Sequence, residues 1–333
     1  MRSTRLMLLA LLAAFAAPAA GHHSPAAFDR STAAVLRGEV TRYDWKNPHV
    51  YIFVAGTDDS GQTGEWLVEA DPTPLMTRSG WTASTVAPGD VVSIRMWPDR
   101  DPQRLHGLLV TLTKDDGTTL GMRAASPTDA ASAASGISGV WDALPDFSVP
   151  IVDQDTNPPR SFTEAGLRAR AGYDPGQNPM ASCLAYPTPM LTVLPYLNEI
   201  EILDDRVLIK SELNGVVRTV YTDGRDHPAD GPRTIQGHSI GRWEGQALVV
   251  DTRLFADYRL AHGRGIPSGA QKHTIERYAL SPDRTRLDIE IRVEDPEFVV
   301  APYTVSTSWK HAPERTLEPF DCDPENAGLF YAR

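Results

Sequence analysis

The sequence predicts a mostly β protein made of two barrel-like domains. Short runs rich in β-branched and aromatic residues alternate with turn sequences along most of its 333 residues. One segment interrupts this pattern: residues 124–136 contain no aromatic and no large apolar side chain, so they cannot contribute to a hydrophobic core. We therefore expect a domain at 22–123, a linker at 124–136 and a domain at 137–333, after a leader at 1–21.

Residues 1–21 have the layout of a secretory signal peptide. Arg2 and Arg5 precede an uninterrupted apolar run of twelve residues, Leu6 to Ala17, and small residues follow it. The run is too short to remain as a membrane-spanning helix, and no later stretch of the chain is a better candidate. We expect a periplasmic or secreted protein without stable membrane insertion.

Charge and motif content exclude several functional classes. The formal net charge is −11, and loss of the leader would remove two arginines, so the mature chain has no basic excess that could neutralise phosphates. Nucleic acid is therefore not an expected partner. The sequence also lacks the motifs G-x-x-x-x-G-K-[ST], G-x-G-x-x-G and H-E-x-x-H, which argues against nucleotide enzymes and zinc proteases.

The first domain is predicted to be an OB-like five-stranded barrel. Turn sequences separate five strand-like runs, and Pro72 to Ser79 is suited to one short helix between the third and fourth runs. Five strands with a helix after the third is the OB arrangement. The runs are Val35 to Trp45, Val50 to Ala55, Glu65 to Ala70, Val91 to Trp97 and Leu108 to Lys114.

The second domain is predicted to be a calycin-like or lipocalin-like antiparallel β-barrel, or a strongly curved sheet. Asn214-Gly215 and Glu244-Gly245 are typical of two-residue hairpin turns, and Gly139-Val-Trp141 resembles the G-x-W of lipocalin first strands. A long meander tends to close because closure removes its edges. The predicted strands are Glu199 to Leu203, Val207 to Leu213, Val216 to Asp223, Ile235 to Trp243, Gln246 to Arg253, Lys272 to Leu280, Thr285 to Glu294, Tyr303 to Lys310 and Leu317 to Asp321.

Two further features tie this domain together. The proline-rich stretch Pro145 to Pro195, with a short helix predicted at Thr163 to Ala171, is expected to wrap across the barrel. The only cysteines, Cys183 and Cys322, have the spacing of neither a zinc ribbon nor a C-x-x-C motif. In an oxidising compartment we expect them to form one disulfide.

His22, His23 and His49 are candidate metal ligands. Signal cleavage after Gly21 would make His22 the first residue, and a terminal His can bind copper through its amine and its ring, with His23 or His49 as the second ligand. Cleavage one residue earlier would leave Gly-His-His, whose third-position His also favours copper. The alternative is that His22 and His23 form a polar start of the mature chain and that His49 lies exposed in a turn.

His238, Asp251 and Arg242 are candidate catalytic residues. If Glu244-Gly245 forms the turn, His238 lies opposite Asp251 on one face of the sheet. A carboxylate beside an imidazole fixes the tautomer and raises the pKa, as acid–base catalysis requires. An inward pair would make a polar site in the barrel. An outward pair would be an ordinary solvated contact, and the apolar opposite face favours this orientation.

Tyr221, Asp223, His227 and Trp243 are candidate ligand contacts. The Asp223 to His227 segment is rich in turn-forming residues, and turn chemistry alone also explains it. Counting along the strands puts His273 on what is most simply a solvated, charged face.

Both halves of the chain resemble exported bacterial families without an assigned activity. Gly21-His-His-Ser24 and Trp45-Lys-Asn-Pro-His49 are similar to a family of small β domains of unknown function, over about residues 21–121. Gly237-His-Ser-Ile-Gly-Arg-Trp-Glu-Gly245 is similar to a second uncharacterised group, over about residues 137–325. Neither resemblance implies a catalytic residue, but the His-His-Ser that follows the leader favours the metal interpretation.

The sequence therefore supports two further hypotheses of different functional classes, in addition to copper binding. In the first, the second domain is a binding protein whose barrel holds a small apolar or amphipathic molecule. In the alternative, it is a cofactor-independent isomerase, hydratase or cyclase that uses His238 and Asp251. The sequence names neither the ligand nor any protein partner.

Overall fold

The computed structural model describes residues 27–122, 132–143, 161–263 and 265–331. The predicted leader, most of the predicted linker and the first part of the proline-rich stretch lie outside these residues. Among the described residues, no helix has both the length and the apolar character needed to cross a membrane.

The N-terminal unit is a closed five-stranded barrel, which confirms the OB-like prediction. Neighbouring strands follow the order β3-β2-β1-β4-β5, and a parallel contact between β3 and β5 closes the barrel. A short helix, α1 (Thr73–Arg78), lies between the third and fourth strands, and β6 (Thr119–Gly121) extends the sheet beyond β5. The barrel strands are β1 (Ala34–Asp44), β2 (Tyr51–Asp58), β3 (Thr63–Glu69), β4 (Val91–Pro98) and β5 (His106–Lys114).

The C-terminal unit is a closed barrel of nine strands, which confirms the predicted barrel. All neighbouring strands run antiparallel except β10 and β11, which are parallel. The strands are β7 (Gly139–Ala143), β8 (Leu197–Ile202), β9 (Arg206–Ser211), β10 (Val216–Tyr221), β11 (His238–Glu244), β12 (Ala247–Arg253), β13 (His273–Leu280), β14 (Arg286–Glu294) and β15 (Tyr303–His311).

One strand prediction and one turn prediction in this barrel were wrong. Residues 317–321 form no strand, and the ninth strand is Gly139–Ala143, which pairs with both β15 and β8 and thereby closes the barrel. The turn at Asn214-Gly215 is longer than predicted, because a 3₁₀ turn at Leu213–Gly215 places Ser211 opposite Val216. Local composition shows where turns and strand-like runs lie. It does not show which strands pair, because the pairing partners are distant in sequence.

The register of the β11–β12 hairpin differs from the prediction by two residues. Glu244 pairs with Ala247, so the turn consists of Gly245 and Gln246, and Gly245 takes the positive φ (+62°) that its first position requires. His238 therefore lies opposite Arg253, not opposite Asp251. The shift is an even number of residues, so His238 and Asp251 still share one face.

That shared face is the outside of the barrel. Leu248 and Val250, which alternate with Asp251 along β12, are fully buried in the barrel core. The core also contains Trp141, Tyr278 and Trp309. The outward orientation of His238 and Asp251 thus follows from the alternation of apolar residues along β12.

An ion pair lies inside the same barrel. The side chains of Arg218 and Glu276 are 4% and 0% exposed and form a two-pronged contact. The five N–H groups of Arg218 are satisfied by Glu276 and by three hydroxyl groups, those of Thr188, Ser239 and Thr252. Tyr278 donates its hydroxyl proton to Glu276. The charges are therefore buried with their hydrogen bonds made, as a buried pair requires.

Further helical segments cover this barrel and the N-terminal one. Two helices of the proline-rich region are described, α2 (Glu164–Ala171), close to its prediction, and α3 (Met190–Val193), which packs on the barrel core. The chain ends in α4 (Pro324–Tyr331). The predicted disulfide joins Cys183 to Cys322, with a Cα–Cα distance of 5.8 Å.

The chain after the last strand contacts the N-terminal barrel. Lys46 donates to Asp323 at 2.7 Å, and Asn326 donates its side-chain amide to the carbonyl of His49 at 2.7 Å. A second contact joins Arg78, at the end of α1, to the buried carboxylate of Glu212 through both guanidinium amino groups. Polar contacts from two separate segments thus connect the two barrels.

Candidate functional site

Four titratable side chains meet on the outside of the C-terminal barrel, at one rim. They come from the start of β11 (His238), the end of β12 (Asp251), the start of β13 (His273) and the loop between β10 and β11 (His227). The side chains of His227, Asp251 and His273 are 14%, 24% and 16% exposed. The cluster is therefore partly covered but still open to solvent.

The loop from residue 222 to residue 237 brings His227 over the strands. Asp223 begins it with a turn, in which its carboxylate accepts from the backbone N–H of Arg225. Gly237 ends it with a φ of +69°, and a Cβ there would lie 2.6 Å from the carbonyl oxygen of Arg253. A glycine is therefore required immediately before His238 for the chain to enter β11.

The four groups form one hydrogen-bonded chain. The Nδ1 atoms of His227 and His238 lie 2.9 Å apart, and Asp251 Oδ1 lies 3.0 Å from His227 Nε2 and 2.9 Å from His273 Nε2. The Asp251 carboxylate only accepts, so His227 Nε2 carries the proton of their bond. In its neutral form, His227 then accepts at Nδ1 the proton that His238 carries on Nδ1.

This chain selects one tautomer of His238. With its proton on Nδ1, neutral His238 has a lone pair on Nε2. Among the described residues, no group forms a hydrogen bond with that Nε2. The cluster thus presents one basic nitrogen whose orientation is fixed by Asp251 through His227.

Electrostatics support these protonation states. Partial burial raises the pKa of the Asp251 carboxyl, but hydrogen bonds and charge interactions with His273 and His227 outweigh this effect and hold it at about 2. Partial burial, followed by the charges of His227 and Arg225, lowers the pKa of His238. Near neutral pH, Asp251 is therefore ionised and His238 is available as a base.

An aromatic stack lies against the His238 ring. The rings of Tyr221 and His238 stack with centroids 5.4 Å apart, and the guanidinium of Arg225 lies 3.8 Å from the centroid of Tyr221. Asp223 holds Arg225 in place through contacts to Nε and Nη2. This stack limits rotation of the His238 ring.

A second cluster of titratable groups lies in the N-terminal barrel. Glu69, at the end of β3, faces His49 Nδ1 at 3.2 Å and His106 Nε2 at 3.7 Å, and His106 Nδ1 lies 3.1 Å from Asp99. Burial lowers the pKa of His106, but its contacts with Asp99 and Glu69 raise it overall above the ordinary value. His49 is therefore next to a carboxylate and is not a solvated turn residue.

The comparison with known families concerns this N-terminal region. Residues 10–109 match DUF6152, a family of unknown function. The match confirms the predicted resemblance to an uncharacterised domain family and extends from the predicted leader into β5 of the barrel. No curated protein matches the chain. The resemblance of the second half stays a prediction.

The metal prediction falls largely outside the described residues. His22 and His23, which belong to the DUF6152 match, are not described, so only His49 can be placed. Among the described residues, no group of three or more His, Cys, Asp or Glu side chains is arranged to hold a metal ion. Copper binding stays a prediction about the processed N-terminus.

The structure gathers five of the candidate residues of the second domain and separates two. Tyr221, Asp223, His227, His238 and Asp251 lie around the rim cluster. Arg242 and Trp243 lie at the opposite end of β11, where Arg242 pairs with Glu244 at 2.8 Å and Trp243 is 43% exposed. Arg242 and Trp243 are therefore not part of this cluster.

Sequence reasoning missed two groups and one pattern. His273 belongs to the cluster, because β13 pairs with β12 beside Asp251, and His106 faces Glu69 across the β3–β5 contact.

Residues Gly237 to Gly241 also match G-x-S-x-G, the pattern of an esterase nucleophile elbow. Here Ser239 lies inside a strand, is 1% exposed and bonds Thr252 and Arg218, so it lacks the exposed turn that such a nucleophile needs.

Proposed function

We propose that the protein is an enzyme of proton-transfer chemistry and that His238 is its general base. The single observation that carries the proposal is the hydrogen-bonded chain from Asp251 through His227 to His238, which leaves His238 Nε2 as a free basic nitrogen. Because its pKa lies below the ordinary value, His238 is unprotonated near neutral pH, and its fixed tautomer leaves Nε2 able to accept a proton.

The proposed step moves a proton from a substrate carbon or oxygen atom to His238 Nε2. The resulting imidazolium keeps its Nδ1 proton bonded to His227, and the negative charge of Asp251 stabilises the cation through His227. Return of the proton to another substrate atom gives an isomerisation, and a parallel step that activates water gives a hydration. Charge stabilisation by an oriented carboxylate supports this use of the cluster.

The interior of the barrel offers less support for a ligand site. Arg218 and Glu276 occupy the space between the strands with their hydrogen bonds already made. Trp141, Tyr278 and Trp309 fill further space in the core. Binding of a small apolar molecule inside the barrel stays a prediction, and the outer rim is the better-supported site.

We also infer that the protein works outside the cytoplasm. The predicted leader and the Cys183–Cys322 disulfide support this inference, because structural disulfides persist mainly in oxidising compartments. Pulse labelling of the protein in cells, with fractionation and mass measurement of the mature chain, tests both the export and the cleavage site.

The test of the base uses a substrate-independent probe, 5-nitrobenzisoxazole, which opens to a coloured phenolate when a base removes its C–H proton. We expect the protein to accelerate this reaction and His238→Gln to reduce the rate to that of the probe in buffer alone. His311→Gln is the matched control, because His311 lies at the far end of β15 and contacts Ser132. Equal rates for wild type and His238→Gln would contradict the proposal.

A further inference from the structure

A buried lysine lies at the same rim, on the inner side of the strands. Lys272 immediately precedes β13 and is 1% exposed. Its Nζ atom donates to the carbonyl oxygen of Thr188 at 2.9 Å and lies 4.3 Å from the centroid of the Phe255 ring. Lys272 therefore points into the covered end of the barrel, beneath the segment that contains Thr188.

The surroundings of the Lys272 amine suit its neutral form better than its charged ammonium form. An ammonium has three N–H donors. Among the described residues, the carbonyl oxygen of Thr188 is the one atom that accepts a hydrogen bond from Nζ. No carboxylate of those residues lies within 4.0 Å of Nζ. Burial lowers the pKa of Lys272 to about 7. It outweighs the charges of Asp295 and Glu276, which raise the pKa from a longer distance.

Two other buried polar atoms near this end of the barrel have no partner among the described residues. They are Ser268 Oγ and Asp295 Oδ1. The second oxygen of Asp295 accepts from His262 Nε2 and from the backbone of Gly269, both at 2.7 Å. Buried polar atoms normally have partners, so these two atoms and the Lys272 amine have unused bonding capacity that a small polar ligand would satisfy.

We propose that Lys272 is a nucleophilic amine that forms an imine with a small aldehyde or ketone at the covered end of the barrel. The Nζ lone pair attacks the carbonyl carbon, and the carbonyl oxygen leaves as water with the two protons that the amine loses. The product is a carbon–nitrogen double bond, with no oxidant or reductant required. Neutral lysines in apolar sites are the ones that perform this chemistry.

This site is separate from the base at His238. Lys272 and His273 are adjacent in sequence, but alternation along the strand sends their side chains to opposite sides of the barrel wall. Entry of a carbonyl compound requires the covering segment around Thr188 to move aside, because Thr188 contacts both Lys272 and Arg218. The ligand class follows from the amine and does not depend on proton transfer at the outer cluster.

Reductive trapping of the wild-type protein tests the proposal. The folded chain is incubated at pH 7 with propionaldehyde and sodium cyanoborohydride, and the modified lysines are mapped by peptide mass spectrometry. Lys210 is the internal comparator, because its bonds to Glu201 and Glu199 raise its pKa. We expect Lys272 to be alkylated roughly tenfold faster than Lys210, with a rate that levels off above pH 7.

The mapping is made on wild type, so it does not depend on whether a variant folds. Lys272→Gln, checked by circular dichroism, should lose the fast adduct and keep the slow ones, whereas Lys210→Gln should keep the fast adduct. Failure to modify Lys272, or modification of Lys272 no faster than Lys210, would overturn the proposal.

Discussion

His227 and His238 face each other through their Nδ1 atoms, 2.9 Å apart. Two imidazole nitrogens at that distance must share one proton, because two lone pairs or two N–H groups would repel. Asp251 decides which ring donates, since its carboxylate accepts the hydrogen bond from His227 Nε2 and so keeps the proton of neutral His227 on that nitrogen. A carboxylate on β12 thus controls the basic nitrogen of a histidine with which it makes no direct bond.

Asp251→Asn should impair proton transfer while leaving the fold intact. The amide can donate to His227 Nε2, which would reverse the tautomers of both histidines and protonate the nitrogen that acts as the base. We expect a rate loss of about 10²- to 10⁴-fold with the benzisoxazole probe. Asp288→Asn, a change on the outer face of β14 where Asp288 bonds Ser308, is the control and should keep the wild-type rate.

His227→Phe should alter the pH profile as well as the rate. After partial burial, the charge that His227 carries when protonated is the next cause that lowers the pKa of His238, so removal of the His227 ring should raise that pKa. A base with a higher pKa becomes protonated at higher pH, and the acid limb of the rate profile should therefore move upward in pH. A profile with an unchanged midpoint would show that His227 has no influence on His238.

Glu276→Gln should destabilise the second barrel strongly. The substitution leaves the buried guanidinium of Arg218 without its counter-charge, which typically costs about 3–5 kcal/mol. The free energy of unfolding in urea measures the effect. The double variant Arg218→Met with Glu276→Leu should recover much of the loss, and a double variant less stable than Glu276→Gln alone would contradict this explanation.

Protonation of His106 should stabilise the N-terminal barrel. The pKa of His106 is raised in the folded protein, so the folded form binds a proton more tightly than the unfolded form. The stabilisation is complete below the unfolded pKa, about 6.5, and is lost as pH rises through the higher folded value. His106→Gln should remove this slope from unfolding free energies measured across that range, and a slope that persists would assign it to another group.

Strand positions were accessible from the sequence, but pairing was not. The five strands of the first barrel follow from their alternation and turns, whereas the role of Gly139–Ala143 as the closing strand depends on contacts with β8 and β15. The prediction of a strand at residues 317–321 was wrong, because a short run bounded by turns resembles a strand even when no partner strand lies beside it. Composition indicates a strand-like run but not the strand with which it pairs.

The candidate site was predictable in part for the same reason. His238 and Asp251 were placed on one face because a register error of two residues preserves the face. The link between them was not foreseen, since His227 arrives on a loop whose path depends on Gly237 and Asp223. His273 was assigned to a solvated face, and only the pairing of β13 with β12 reveals that it shares Asp251.

The protonation state of the two facing histidines tests the central claim most directly. Nitrogen-15 NMR of the imidazole rings, assigned with His227→Phe and His238→Gln, distinguishes protonated from unprotonated ring nitrogens. At a pH where His238 is neutral, we predict a proton on His238 Nδ1 and a lone pair on His238 Nε2, with the proton of His227 on Nε2. A proton on His238 Nε2 at that pH would contradict the account.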